Sequence, residues 1–338
     1  MNWKEAIRAL VVVGVPVAAL LTSATRVAEG LPAREGTTLS DKTRVFHKAD
    51  DHTVTLRHGP ITTVVVDNEA FGETHRSGYN GIASLTHEKR PENLFVPRYA
   101  GLNLELIMDG RKHSRERFFE PRRVPMELRL TDDHAAELYQ PPTPTWHLES
   151  CTRFELEGDG TIHVTFECVA RKKVDAFGYL ALFWASYVQQ PEVLGIRFRG
   201  REGEGGEERW ITASSPAHGV DSTHRPAADR RTFARAPDFP PAFMLFSHSQ
   251  YRPTKPFYYG VSHGMALVYI FRERDLVWFA QSPSGGGKGN PAWDFAWLIP
   301  DYEIGKIYRL ELRALYVPFK SEEEIEQLYA TQSRKWSP

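Results

Sequence analysis

Cysteine is nearly absent from this chain: two residues among 338, Cys151 and Cys168, so at most one internal bridge is available. A surplus of either charge is also missing. With 42 basic and 43 acidic side chains the formal net charge is −1, which argues against nucleic acid as a partner, because phosphate neutralisation needs a basic excess. Long apolar runs are lacking too. Ala9–Leu21 spans thirteen residues, short of the roughly 20 that a membrane helix needs, and no later segment is longer. No membrane partner is expected beyond an uncleaved N-terminal anchor. Helical patterns between strands are missing as well, which excludes parallel βαβ winding. No repeat of fixed period is found.

Cofactor and metal signals are equally thin, and neither is expected. His75 and His87 lie twelve residues apart, and no His-x-His, His-Glu-x-x-His or acidic calcium loop occurs. Ser284–Gly289 lacks the spacing and the following helix of a phosphate loop. Gly260-Val261-Ser262-His263-Gly264 copies a nucleophile elbow, but Met265–Phe271 after it reads as a strand and no histidine follows, so a turn between strands is expected.

The N-terminus reads as an export signal. Lys4 and Arg8 give a positive start, Ala9–Leu21 an apolar run and Thr22-Ser23-Ala24 a small-residue cleavage site. Residues 1–24 are expected to be a signal peptide and 25–338 one β-sandwich domain, placed in the periplasm or outside the cell. Strand patterns fill that domain, among them Thr53–Arg57, Ile61–Val66, Leu102–Met108, Ile162–Ala170 and Ile307–Tyr316. Tyr179–Val188 is apolar on both alternating faces and fits a central strand covered on both sides. Ser321-Glu322-Glu323-Glu324 is a capping box, and Ile325, Leu328 and Tyr329 after it form the stripe of a C-terminal helix. The spacing predicts an all-β fold, a large antiparallel β-sandwich with that short helix.

Cys151 and Cys168 flank a hairpin turned at Glu157–Gly160. A two-residue turn would set them face to face. The apolar alternation of Phe154 and Leu156 against Ile162, Val164 and Phe166 favours a register slipped by one, which sends the thiols to opposite faces. Cys168 is then a core thiol and Cys151 an outward one.

Chemistry concentrates in residues 75–105. His75 and His87 titrate near neutrality, Tyr79 and Asn80 sit between Gly78 and Gly81, and Arg98 can grip a carboxylate. His248 and Tyr251 form a second group. In Asn290–Trp297, Trp293, Phe295 and Trp297 share one face of an extended strand and Asp294 takes the other; Trp146 adds a further ring for sugar stacking. The long segment Ser214–Pro241 carries His218, Asp221, His224 and Arg225, and loops of that length are usually functional or disordered.

Size, strand density, the doubly apolar strand and the late helix resemble the galactose-mutarotase-like β-supersandwich, a fold shared by aldose epimerases and by domains of polysaccharide lyases and glycosidases. The chain departs from the epimerases in having no Asn-His dipeptide, the usual companion of their catalytic histidine. The resemblance implies a carbohydrate substrate or ligand. Two catalytic versions follow. In a lyase, His75 or His87 is the base, Tyr79 or Tyr251 the acid, with His248 close by, and Asn80 with Arg98 neutralises the uronate carboxylate. In a glycosidase, Asp294 works with Glu149, Glu105 or Glu303 across the scissile bond. The rival is a non-catalytic carbohydrate-binding or cell-envelope sandwich, in which these groups scatter. Oligomeric state is not legible.

Overall fold

A computed structural model describes residues 36–70, 72 and 75–336; the expected signal segment lies outside them. Strands dominate because short β-branched and aromatic runs alternate in burial, as in Ile61–Val66 and Ile196–Glu202. They assemble into antiparallel sheets of eleven, five and three strands. The largest runs from His47–Lys48 through Leu148–Glu157, Thr161–Ala170, Ile307–Pro318 and Met265–Phe271 to Arg209–Ala213. The five-stranded sheet is ordered Thr223–His224, Trp278–Ser282, Ala292–Pro300, Tyr179–Ala185, Asn103–Met108.

These two sheets face each other across one apolar core. Leu180, Leu182 and Trp184 point into it beside Trp293, Phe295 and Trp297, and meet Phe166 and Phe271 of the large sheet. The alternate residues Tyr179, Ala181, Phe183 and Ala185 point the other way, into a second apolar layer closed by Phe233, Phe239, Phe243 and Met244. The strand Tyr179–Ala185 is therefore covered on both sides, as its pattern predicts, and the 214–250 segment is the cover. Asp294 shares the second face with Ala292 and Ala296, opposite its three aromatic neighbours.

The Cys hairpin takes the slipped register. Cys151 pairs with Glu167 and Ser150 with Cys168, through a three-residue loop Gly158–Gly160. The thiols lie on opposite faces and both are free. Cys151 is not outward, however. Thr38 and Leu39 cover it, and its thiol lies 3.3 Å from a Glu137 carboxylate oxygen. The Gly260–Gly264 motif is a hairpin tip: Ser262 pairs with Met265, and His263 and Gly264 adopt φ of 52° and 75°, a two-residue turn. Helix Glu322–Arg334 starts where its capping box places it, with the Ser321 hydroxyl accepting from the Glu324 amide at 3.3 Å. Ile325, Leu328 and Tyr329 pack on the large sheet.

Two outcomes check this account. Ser321→Ala should lower unfolding free energy by about 1 kcal/mol in urea titrations, and no change would mean that the cap does not hold the helix. Iodoacetamide should leave both thiols unmodified in the native protein and label both after denaturation without reductant; failure to label them there would reveal a bridge.

Candidate functional site

Above the second face of the five-stranded sheet lies a cavity of about 250 Å3. Its floor is cut from small residues, Ala185 and Ala292, around the carboxyl of Asp294. A β-bulge supplies the second carboxyl. Phe183 pairs with Leu106 but Trp184 pairs with Leu104, so Glu105 is the extra residue on its strand and is re-aimed. Glu105 Oε1 accepts from Arg122 Nη1 at 2.6 Å and from the Tyr187 hydroxyl at 2.7 Å. Its Oε2 takes no hydrogen bond from the described residues.

Asp294 is 1% exposed, and its Oδ1 accepts the Ser186 amide at 3.1 Å. Its Oδ2 is buried with no protein hydrogen-bond partner among the described residues. Burial, and then the charge of Glu105, push this carboxyl well above the usual Asp range, which favours its protonated form. Burial and the same charge push the Tyr187 phenol up, which keeps it a donor. Burial alone would lower the Arg122 guanidinium; Glu105 and the Tyr79 and Tyr187 hydroxyls more than offset it. The cavity thus holds one carboxyl whose burial favours the protonated form and one paired with an arginine, each presenting a bare oxygen.

Aromatic rings and guanidinium groups form the walls. Tyr79, Tyr99 and Tyr187 cluster with centroids 4.9–5.7 Å apart. Arg122 lies 3.9 Å above the Tyr79 ring, and Arg76 lies 4.5 Å and 4.3 Å above Tyr79 and Tyr99. On the far side, His218 Nε2 lies 2.9 Å from the Ala242 carbonyl and Nδ1 lies 2.8 Å from the Ser282 hydroxyl. A carbonyl only accepts, so in the neutral ring Nε2 carries the hydrogen and Nδ1 accepts from Ser282. His218 thereby ties the covering segment to the sheet.

The supporting contacts are local. Glu120 accepts the amides of Thr145 at 2.9 Å and Trp146 at 3.0 Å, and the Trp146 indole donates to the Arg117 carbonyl at 2.6 Å. This anchors the turn Arg115–Phe118 and the 3-10 turn Glu120–Arg122, which deliver Arg115, Phe119 and Arg122. Gly81, at φ 96°, runs so close to Gly101 that a Cβ would sit 2.6 Å from its carbonyl oxygen; this approach seats Tyr79 and Asn80.

Of the residues expected from the sequence, Tyr79, Asp294 and Glu105 line the cavity, as does His218 of the long segment, and the others do not. Asn80 is buried and mimics a strand partner, exchanging hydrogen bonds of 3.0 Å with the backbone of Leu104 beside the bulge. His75 sits half-buried before Tyr79, off the cavity wall. His87 ends its strand about 20 Å along from Gly81, buried against Tyr316, and burial lowers its pKa. His248 packs on Trp278 at 5.0 Å, pushed down to about 4 by burial and by Arg225, Arg235 and Arg252. Tyr251 pairs with Glu202 on the large sheet. Arg98 is exposed, with φ 69°. Trp146 and Trp293 are fully buried, which removes them as sugar platforms; the Trp293 indole donates to the Leu194 carbonyl at 3.0 Å. The imidazoles do not converge.

Among the three carboxylates weighed against Asp294, the fold selects Glu105. Glu149 accepts from Tyr139 and pairs with Arg171, and Glu303 pairs with exposed Lys306. Arg122, Arg115, Phe119 and Tyr187 were not legible as site residues. Tyr187 lies within the doubly apolar run, and the arginines lie in a segment with no strand pattern.

No family profile matches the chain, and no curated protein is similar to it in sequence. Solved structures do resemble its fold. A GalM/aldose epimerase homologue from C. elegans is 7% identical with a TM-score of 0.44, covering 81% of this chain and 100% of that one. The α-N-acetylgalactosaminidase NagBb from Bifidobacterium bifidum is 10% identical with a TM-score of 0.47, covering 83% and 39%. A heparan sulfate lyase mutant from Pedobacter heparinus is 9% identical with a TM-score of 0.41, covering 81% and 37%. These are likenesses of fold alone; the chemistry must be read from the site itself.

Linkage gives the site a stability signature. Near pH 3.5 Asp294 is protonated in both folded and unfolded chains. Above an unfolded pKa of about 3.9 only the unfolded chain releases the proton, so folded-state stability is lost as pH rises toward the folded pKa. Asp294→Asn lacks this loss. Its melting temperature relative to wild type should climb steadily between about pH 4 and pH 7; a difference independent of pH would mean that Asp294 titrates normally.

Proposed function

We propose that this protein is a carbohydrate-active enzyme that hydrolyses a glycosidic bond, with Asp294 and Glu105 as its acid–base pair. The bare, protonated Oδ2 of Asp294 beside the Arg122-bound Glu105 carries the reading. Two carboxyl groups with opposed protonation are what glycoside hydrolysis requires, and the walls suit a sugar: tyrosine rings for its CH faces and arginines for its hydroxyls.

Asp294 gives its proton to the glycosidic oxygen as the bond to the anomeric carbon breaks. Positive charge develops on the sugar ring, and the Glu105 carboxylate opposes it. Glu105 Oε2 then either bonds to the anomeric carbon or takes a proton from the attacking water; product stereochemistry separates these routes. Tyr187 and Arg122 fix Glu105 through Oε1 and leave Oε2 to act. A lyase built on His75 or His87 has less support, because those rings stand away from the cavity. The export signal expected at residues 1–24 directs the enzyme to a glycan outside the cytoplasm.

The test is a panel of aryl glycosides and oligosaccharides incubated with the protein. New reducing ends should form without an absorbing unsaturated uronate. Asp294→Asn should lower kcat by about 100-fold or more, and Glu105→Gln similarly. Wild-type rates in both variants would refute the assignment, and ligand binding without turnover by the wild type would make the protein a binding module.

A further inference from the structure

A second chamber of about 480 Å3 adjoins the cavity and shares Arg115, Phe119 and Arg122 with it. That volume lies within the range of about 300–1,000 Å3 common for small-molecule sites. Arg123 lines it as well, so three guanidinium groups face one hollow, and Glu69 is the carboxylate on its wall among the described residues. Their charges are unevenly met. Arg122 is spent on Glu105. Arg123 lies 3.9 Å from Glu116 with both side chains more than half exposed, a pairing that water screens. Arg115 makes no ion pair with any described residue; it rests on the Phe119 ring at 4.6 Å, with Arg122 over the same ring at 5.3 Å.

Like charges gathered around one ring repel unless an anion joins them. Burial disfavours a negative charge on Asp294. Arg115 also stands on the boundary between the chambers, with its five N–H donors uncommitted to any carboxylate of the described residues.

We infer that the outer chamber is a subsite for an anionic substituent, a carboxylate or a sulfate, on the sugar next to the one in the cavity. The substrate is then an acidic glycan. The inference rests on the proposed function for the adjoining cavity and names the substrate class of that site. Arg115 grips the anionic group and Arg123 adds charge at the rim.

Calorimetric titration of the full chain tests it. The probes are tetrasaccharides from heparan sulfate and from polygalacturonate, each beside its desulfated or carboxyl-reduced counterpart. At least one probe should bind about tenfold or more tighter than the counterpart that lacks its sulfates or its carboxylates, and added salt should shrink the gap. Arg115→Gln should remove most of the preference, Arg115→Lys should keep part of it, and circular dichroism checks that both fold. The desulfated and the carboxyl-reduced arms tell sulfate from carboxylate. Equal affinity for each probe and each of its counterparts, no binding of any anionic probe, or a preference unchanged in the doubly substituted Arg115→Gln, Arg123→Gln protein would overturn the subsite. Asp294→Asn separates this from the reaction. A charge preference that survives there, with no turnover by the wild type, sinks the hydrolysis and leaves the subsite. Turnover of neutral probes with no charge preference does the reverse.

Discussion

A carboxyl group buried without a counter-charge is costly, and this fold keeps one by leaving it protonated. Asp294 sits in a hollow of alanines, with a single amide to accept and a charged glutamate beside it. Ionising it would place two negative charges in one poorly hydrated space. Glu105, by contrast, has partners: Arg122 and Tyr187 are directed at its Oε1. The asymmetry between the two acids is thus set by neighbours rather than by residue type, and the remaining site geometry serves to hold it.

Much of the surrounding structure serves that hold. The bulge turns Glu105 toward the cavity, and Asn80 braces the adjacent backbone. Glu120 and Trp146 fix the short turns that bring Arg122 down over Tyr79. His218 fastens the long covering segment to Ser282 and so closes the far wall. Placing the acids on sheet strands, with the arginines on anchored turns, gives the pair a rigid base and the rim chemical variety.

The scaffold was far more legible than the site. Two-residue periodicity alone placed Trp293, Phe295 and Trp297 on the core face and Asp294 opposite, and it chose the slipped register of the cysteine hairpin over the face-to-face one. Local rules of this kind act between near neighbours, so a single chain displays them. The site depends on contacts between distant segments. Arg122 meets Glu105 across seventeen positions, and Tyr187 meets it across eighty-two. Crowding in 75–105 was a partial guide: Tyr79, Tyr99 and Glu105 line the cavity, while Asn80 pairs with a strand and His87 ends one. Trp146 and Trp293 misled for a related reason. A tryptophan with a backbone partner for its N–H buries completely, and the sequence does not show that partner.

The most direct measurement is a carbon-13 NMR titration of the aspartate carboxyls in the full chain, with Asp294→Asn to assign the signal. The signal lost in that variant should remain at the protonated position through neutral pH, while exposed aspartates titrate near about 3.9. If the Asp294 signal moves with theirs, the carboxyl is ionised at neutral pH, and the opposed protonation on which the proposed chemistry depends does not exist.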